Sequence, residues 1–351
     1  MSDVRPYVLG FEPILKEKVW GGRRLERYGK RLEPGRSYGE SWEIADLAST
    51  AVSGGGGGSA LSIIDRGPWR GRTVGEAVRA WGADLLGDSV WSRIRDDEAP
   101  AFPLLVKFLD AREHLSVQVH PSPEFAQQND WAHLKTESWL VLESDTTTLP
   151  GGEVEDGAVF KGINEGVDAV GFAGAIRDAS VVEHLTRHRA VRGECHTLPS
   201  GTCHALGGGV LVLEVQTPSD TTFRVYDWAK EYERSGRELH VEQALGCLSF
   251  DADRGGQAAP AAVCASSANH GVVSETDWYR MRSLTLTPDE HAALPGDGCR
   301  VVVGVGGDGV LNGEAVTLGQ TLLVPASKPD VTLRAGGGGF EVCVVELLAR
   351  L

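Results

Sequence analysis

The segment PLLVKFLDAREHLSVQVHP, residues 103–121, contains two short runs rich in Val and Leu, and the second run alternates apolar and polar residues. Successive side chains of an extended chain point to opposite faces, so this second run places three aliphatic side chains on one face and Ser116, Gln118 and His120 on the other. A half-buried strand whose polar face meets water is the commoner origin of such a pattern. The segment therefore predicts a strand and leaves the use of its polar face open.

Short segments of the same kind recur along the chain and predict a mainly β architecture with antiparallel strands. They are rich in Val and Leu and are bounded by Gly, Pro, Asp or Ser, as strands are. Besides the two above, they are SWLVLE from Ser138, GVLVLEVQT from Gly209 and TTFRVYDW from Thr221. Near the C-terminus, RVVVGVGGDGVLNGEAVTLGQTLLVPA and VTLRAGGGGFEVCVVELL are typical of hairpins with glycine turns in a jelly roll or small β-sandwich.

Two segments depart from this pattern and predict helical insertions beside the β-core. TVGEAVRAWGADLLGDSVWSRI, from Thr73, and VDAVGFAGAIRDASVVEHLTRH, from Val167, space their apolar residues by three and four, as amphipathic helices do. The predicted organisation is a first domain over residues 1–250 with helical insertions at about 71–98 and 165–188. An Ala- and Gly-rich linker over 251–269 and a C-terminal β-sandwich domain over 270–351 follow.

Composition excludes several classes of partner. The formal net charge of the 351 residues is -15, and no run of Lys and Arg is interleaved with aromatic residues, so we expect no nucleic-acid or membrane partner. No apolar run approaches the roughly 18 residues that span a bilayer, and the opening residues lack a signal peptide's apolar segment, which favours a cytoplasmic location. The six cysteines form no CxxC pair, so we expect free thiols. An anionic substrate would require a local cluster of cations.

Four places carry polar residues that strands could direct into one cavity. They are Gln118 and His120; Lys135 and Glu137 in KTESW; His204 in LPSGTCHALGGG; and Glu214, Asp220 and Arg224 in EVQTPSDTTFRVYDW. Two neutral imidazoles and a carboxylate are a usual ligand set for a divalent cation, and an amide oxygen can add a further ligand. Each residue could equally be a hydrogen-bonded core group or a surface charge, because spacing alone does not establish convergence.

Several ordered blocks resemble the type I mannose-6-phosphate isomerases, which are zinc enzymes of the cupin superfamily. The blocks are KEKVWGGRRLERYG, YGESWEIAD, LLVKFLDAREHLSVQVHPS, KTESWLVLE, LPSGTCHALGGGVLVLEVQTPSDTTFRVYDW and ELHVEQALG, and they cover most of residues 10–250. The resemblance implies a cupin or jelly-roll β-sandwich core with helical insertions and a smaller cupin-like C-terminal β-domain. It implies the interconversion of mannose 6-phosphate and fructose 6-phosphate through an enediol or enediolate, a reaction of carbohydrate metabolism.

The same resemblance implies roles for individual residues and for partners. Four residues match the zinc ligands, with one Zn²⁺ expected per chain: Gln118, His120, Glu137 and His204. Ser116, Lys107 and Arg224 match positions that surround the substrate, and Arg224, Glu214 and Lys135 match catalytic positions. We expect a hexose 6-phosphate as the partner and a monomer or weak homo-oligomer. The general base stays open among Glu214, Lys135 and a zinc-bound water.

Two other functions remain compatible with the residues. A cupin with two histidines and one glutamate could be a non-haem iron oxygenase, in which three protein ligands leave a face open for oxygen. A fourth ligand at Gln118 and the basic residues around the site disfavour this function. The chain could also be a non-catalytic sugar-phosphate-binding cupin, which would bind substrate without exchanging its C2 proton with solvent.

Overall fold

A computed structural model describes residues 4–50, 58–250, 270–294, 296 and 298–349 of the chain. The predicted linker, 251–269, lies outside the described residues, and the predicted domain limits stay a prediction. The predicted mainly β fold class is confirmed, because strands form most of the regular structure. In the described part of the chain, no helix is both long and apolar enough to cross a membrane.

The helices and strands are short and are numbered in chain order. The helices are α1 (Val74–Trp81), α2 (Ala83–Leu86), α3 (Asp88–Ile94), α4 (Pro123–Gln128), α5 (Ala169–Arg177) and α6 (Val241–Cys247), with 3-10 turns at Arg24–Tyr28 and Val181–His184. The first strands are β1 (Leu9–Gly10), β2 (Ile14–Gly22), β3 (Tyr38–Ile44), β4 (Asp46–Thr50), β5 (Gly58–Leu61), β6 (Leu105–Ala111), β7 (Val117–Val119), β8 (Glu137–Ser144), β9 (Thr146–Thr148), β10 (Val154–Asp156), β11 (Ala158–Ile163) and β12 (Leu185–Arg189). The remaining strands are β13 (Cys195–Leu198), β14 (His204–Leu206), β15 (Val210–Gln216), β16 (Phe223–Tyr226), β17 (His270–Glu275), β18 (Tyr279–Leu286), β19 (His291–Ala293), β20 (Arg300–Leu311), β21 (Glu314–Val316), β22 (Thr321–Val324) and β23 (Thr332–Leu347).

Two antiparallel sheets pack face to face and enclose the predicted site residues between them. One sheet has six strands in the order β13-β8-β15-β6-β2-β3, and the other has five in the order β12-β11-β14-β7-β16. The inner faces meet in an apolar cluster that includes Leu109 and Val212 from the first sheet and Val159 and Leu206 from the second. This packing leaves a half-open interior into which alternate residues of both sheets project.

The outer faces of the two sheets are covered by different layers, so both sheets are buried on two sides. The outer face of the five-stranded sheet, with Val117 and Val119, packs against α5 and α6. The outer face of the six-stranded sheet packs against a C-terminal sheet, through residues such as Leu213 and Val301. That third sheet has the order β1-β22-β20-β23-β18-β17 with β19 and β21 at its margins, so the N-terminal strand β1 pairs with a C-terminal strand.

The predicted strands are confirmed, but the helical segments are more broken than their periodicity indicates. The first segment begins with a capping box, in which the Thr73 side chain accepts from the Glu76 N–H, and is then interrupted at Gly82 and Gly87. Both glycines have positive φ, at 48° and 87°, a conformation that ends a helix at low steric cost. In the second segment α5 ends at Arg177, and the chain enters strand β12 at Leu185.

The regular part of the opening segment is also shorter than predicted. Strand β7 covers only Val117–Val119, and Leu115 lies before it. Leu115 packs in the inner apolar cluster rather than beside Val117 and Val119 on the outer face. The alternation is thus correct from Val117 onward, and irregular backbone directs Leu115 to the opposite side.

Candidate active site

The register of the two sheets brings predicted site residues into two facing rows. In antiparallel sheets directly paired residues point to the same face, so a row of paired residues forms a stripe across a sheet. Across the six-stranded sheet the paired residues are Trp139, Glu214, Lys107 and Trp42. Across the five-stranded sheet they are His204, Gln118 and Arg224. The Trp139 and His204 rings meet edge to face with centroids 5.3 Å apart, so the two rows contact each other.

His120, Glu137 and His204 form a buried cluster between the sheets. One ligand atom from each lies within 4.8 Å of the others, and all three residues are buried. Oε1 of Glu137 lies 2.9 Å from Nε2 of His204, and Oε2 lies 3.4 Å from Nε2 of His120. Neither carboxylate oxygen makes a well-aligned hydrogen bond. The two carboxylate oxygens therefore face the histidine nitrogens, and no group of the cluster donates a hydrogen bond to them.

Hydrogen bonds to backbone carbonyls fix the tautomers of the two histidines. Nδ1 of His120 lies 2.9 Å from the carbonyl oxygen of Thr221, and Nδ1 of His204 lies 2.9 Å from that of Thr202. Because a carbonyl oxygen only accepts, each Nδ1 carries the proton and each neutral ring directs the lone pair of Nε2 at Glu137. Burial and the nearby Lys135 lower the pKa of His120 to about 3, which keeps that ring neutral. This donor set fits a divalent cation.

Gln118 and Lys135 complete the surroundings of this cluster. The amide nitrogen of Gln118 lies 3.3 Å from Nε2 of His204, and a rotation of the amide by about 180° would direct its oxygen there instead. The ammonium of Lys135 lies 3.0 Å from Oε2 of Glu137 and 3.1 Å from Nε2 of His120. Burial alone would raise the pKa of Glu137, but the adjacent ammonium of Lys135 holds it well below its ordinary value. The carboxylate is thus charged and available as a ligand.

Glu214 and Lys107 form a second buried ion pair beside the cluster. Nζ of Lys107 lies 3.1 Å from Oε1 of Glu214, and Nε1 of Trp139 donates to Oε2 of Glu214 at 2.9 Å. Burial and the nearby Glu137 carboxylate raise the pKa of Glu214, whereas its acidic neighbours raise the pKa of Lys107 despite burial. Glu214 is therefore a carboxylate whose affinity for a proton is increased.

A pocket between the two sheets opens onto Lys107, Lys135 and Glu214. Its lining explains how a protein with a large negative net charge can bind an anion. Ser116, Gln118, Lys107, Lys135, Glu214 and Arg224 line it, together with Asp220 and residues that sequence reasoning did not single out. Its lining contains five basic and three acidic side chains, in contrast to the overall charge of -15. The pocket thus has the local cluster of cations that an anionic substrate requires.

The sequence prediction missed five charged or tryptophan side chains that line this pocket. They are Lys18, Trp20, Glu40, Trp42 and Arg237. Glu40 lies 3.1 Å from Nζ of Lys18 and 3.8 Å from Nζ of Lys107, and these two lysines lower its pKa to about 2 against the effect of burial. The alternation in YGESWEI, which puts Glu40 and Trp42 on one face, was an available signal for two of them. Arg237 belongs to an irregular segment, for which periodicity gives no signal.

Curated proteins with similar sequences are mannose-6-phosphate isomerases. The chain is 35% identical over 251 residues to the "probable mannose-6-phosphate isomerase GmuF" of Bacillus subtilis, an alignment that covers 69% of this chain and 68% of that protein. It is 32% identical over 243 residues to mannose-6-phosphate isomerase ManA of the same organism, with 68% of this chain covered. The alignment with ManA spans 66% of the length of ManA. No model of a protein family matches the sequence.

Solved structures with the same fold carry the same description. The crystal structure of the mannose 6-phosphate isomerase from Bacillus subtilis superposes with a TM-score of 0.71 at 25% identity, covering 96% of this chain and 99% of that one. A mannose 6-phosphate isomerase bound with zinc and yttrium superposes with a TM-score of 0.69 at 16% identity, covering 97% and 99%. At 16% identity, the similarity to the zinc- and yttrium-bound enzyme shows only that the two chains share a fold. The predicted cupin-type fold is confirmed by these superpositions.

Proposed function

The chain belongs to the mannose-6-phosphate isomerase family, and on this premise we propose that it is a zinc-dependent aldose-ketose isomerase. Its proposed substrates are mannose 6-phosphate and fructose 6-phosphate. The observation that carries the proposal is the buried cluster of His120, Glu137 and His204, in which neither carboxylate oxygen makes a well-aligned hydrogen bond. The cluster adjoins a pocket with surplus positive charge, since Gln118 and Lys135 beside it line that pocket. A metal-binding group next to an anion-binding pocket suits a phosphorylated sugar.

His120, His204 and Glu137 would hold the zinc ion, and Gln118 would add an amide oxygen. Two neutral imidazoles and a neutral amide leave a single ligand charge, so the site with Zn²⁺ keeps a net positive charge. Bound zinc supplies a Lewis acid there, which polarises the oxygen atoms of the substrate. The choice of zinc is supported by the mannose 6-phosphate isomerase of the same fold that is bound with zinc and yttrium.

Glu214 is the residue that we assign to proton transfer between the two carbons. Its carboxylate would take the proton from C2 of the aldose as a double bond forms between C1 and C2, and would return a proton to C1. The hydroxyl proton on O2 must also pass to O1. Lys135, whose ammonium lies 3.0 Å from Oε2 of Glu137, would carry this proton. The raised pKa of Glu214 supports its role as a base, because the efficiency of proton transfer increases as the pKa approaches the working pH.

Basic and hydroxyl side chains of the pocket would bind the rest of the substrate. Arg224 offers a planar set of donors that matches a phosphate, Lys107 a point charge and Ser116 a hydroxyl. All three are more than nine-tenths buried, so their interactions with an anion are weakly screened by solvent.

A coupled assay of fructose 6-phosphate formation from mannose 6-phosphate tests the proposal. We expect conversion, and we expect the C2 proton of mannose 6-phosphate to exchange with deuterated solvent during turnover. Other hexose 6-phosphates in parallel would define the substrate preference. Zinc-dependent binding of mannose 6-phosphate without exchange would instead indicate a non-catalytic binding protein, and oxygen uptake in the presence of iron would indicate an oxygenase.

Replacement of the ligand carboxylate tests the metal site separately from the reaction. Glu137→Gln keeps the size of the side chain but removes the only ligand charge, so we expect zinc affinity to fall by about 10- to 100-fold or more. Elemental analysis after dialysis against a fixed zinc concentration measures this loss. Glu43→Gln is the matched control, because Glu43 is equally buried and paired with Lys30 at 2.7 Å but does not line the pocket. Zinc content equal in both variants would remove Glu137 from the ligand set.

A further inference from the structure

A single buried carboxylate, that of Asp227, contacts three arginines at one side of the pocket. Oδ2 of Asp227 accepts from the backbone N–H of Arg237 at 2.8 Å, and Oδ1 accepts from Nε of the same residue at 2.6 Å. Nε of Arg224 lies 3.9 Å from Oδ1, and Nη1 of Arg234 lies 3.6 Å from Oδ2. Asp227 is 5% exposed. One negative charge thus holds three guanidinium groups together.

The arginines do not exhaust their hydrogen-bonding capacity on Asp227. Arg224 donates from Nη1 to the carbonyl oxygen of Glu238 at 2.7 Å, whereas its Nε makes no well-aligned hydrogen bond. Nη2 of Arg237, by contrast, contacts Oδ1 of Asp227 in an ion pair. Burial and the adjacent Arg237 lower the pKa of Arg224 to about 10, as expected where positive charge exceeds negative charge. A buried guanidinium with an unsatisfied donor, in a region of surplus positive charge, favours the binding of an anion.

Only two of these arginines face the pocket, and Asp227 does not. Arg224 and Arg237 line it, Arg224 from strand β16 and Arg237 from the irregular segment between β16 and α6. Without a shared counter-charge these two guanidinium groups would repel each other. The geometry points to Asp227 as a positioning residue that holds Arg224 and Arg237 as a pair for the phosphate of the substrate, an inference that rests on the proposed function. Asp227 itself does not line the pocket, so it would act through these two arginines.

The chain contains a matched site away from the pocket. Asp110 accepts from the backbone N–H of Arg24 at 2.7 Å and from Nε of Arg24 at 2.7 Å, which are the same two contacts that Asp227 makes with Arg237. Asp110 is fully buried, and neither Asp110 nor Arg24 lines the pocket. Asp110→Asn therefore makes the same chemical change in the same local motif without touching the proposed phosphate site.

The test compares Asp227→Asn with Asp110→Asn in the full-length, zinc-loaded protein. Asparagine can still accept the backbone N–H but removes the counter-charge. We expect the KM for mannose 6-phosphate and the inhibition constant of inorganic phosphate to rise about tenfold or more in Asp227→Asn, with kcat lowered less than about threefold. Asp227→Glu keeps the charge, so its KM and inhibition constant should lie between those of the wild type and those of Asp227→Asn. In Asp110→Asn both constants should stay within about twofold of the wild type.

The outcomes separate this inference from the function on which it rests. A wild-type KM and phosphate affinity in Asp227→Asn, or an equal rise in the Asp110→Asn control, would overturn the positioning role while isomerase activity stands. If the wild type does not isomerise mannose 6-phosphate, calorimetric titration with inorganic phosphate still compares the variants. Should Asp227→Asn fail to fold, Arg237→Gln decides, because it removes one arginine of the proposed pair. A folded Arg237→Gln protein with unchanged KM and phosphate affinity contradicts the inference.

Discussion

Removal of the metal with a strong chelator should lower kcat by at least about a thousandfold, and added zinc should restore it. Polarisation of the reacting oxygens by a bound cation contributes several kcal/mol to the stabilisation of the transition state, and about 4 kcal/mol corresponds to three orders of magnitude in rate. Without a bound cation, the carboxylate of Glu137 faces the Nε2 atoms of His120 and His204, and the ammonium of Lys135 lies beside them. Lys135 cannot replace a Lewis acid.

The choice of metal offers a control for this experiment. Two imidazole nitrogens favour zinc over the hard cation Mg²⁺, so Mg²⁺ should not restore the activity of the chelated protein. Circular dichroism before and after chelation separates loss of the metal from loss of the fold. Full activity in a preparation shown by elemental analysis to be free of divalent metal would exclude the proposed mechanism.

The residues of the site were predictable to the extent that strands position them. Gln118 and His120 share a face of the opening segment, and the structure directs that face inward, where His120 is 1% exposed. The alternation established which side chains lie together, but it did not distinguish the protein interior from water. Only the resemblance to a known family linked these two residues with Glu137 and His204, because distant segments converge through sheet pairing that no local pattern encodes.

Two of the residues that were missed, Arg237 and Asp227, lie where local rules give no information. Arg237 and Asp227 meet through an irregular segment whose course depends on tertiary hydrogen bonds, and Arg237 is separated by 13 positions from its neighbour Arg224 in the sequence. The periodicity from Thr73 correctly predicted helical structure. It did not predict that Gly82 and Gly87 divide the segment into three short helices. Glycine is tolerated inside helical patterns often enough that its presence alone does not predict a break.

Replacement of the proposed base, Glu214→Gln, should lower kcat by about a hundredfold to ten-thousandfold, the range that general acid-base catalysis contributes. The amide keeps the shape of the side chain and its contact with Trp139, but it cannot take a proton from C2. Exchange of the C2 proton with deuterated solvent should fall in parallel. Because only the deprotonated carboxylate acts as a base, wild-type kcat should fall as the pH drops through the raised pKa of Glu214, and the variant should lack this acid limb.

The effect of Glu214→Gln must be distinguished from a general disturbance of the charged interior. Loss of the carboxylate leaves Lys107 with Glu40 as its ion-pair partner, at 3.8 Å, so a modest rise in KM is expected as well. Glu43→Gln again provides the comparison, since it breaks a buried ion pair with Lys30 outside the pocket and should leave kcat within about twofold of the wild type. Unchanged zinc content in Glu214→Gln would show that the metal site is intact. Persistence of rapid C2 proton exchange in that variant would assign the base to another group, with Lys135 the nearest candidate beside the metal ligands.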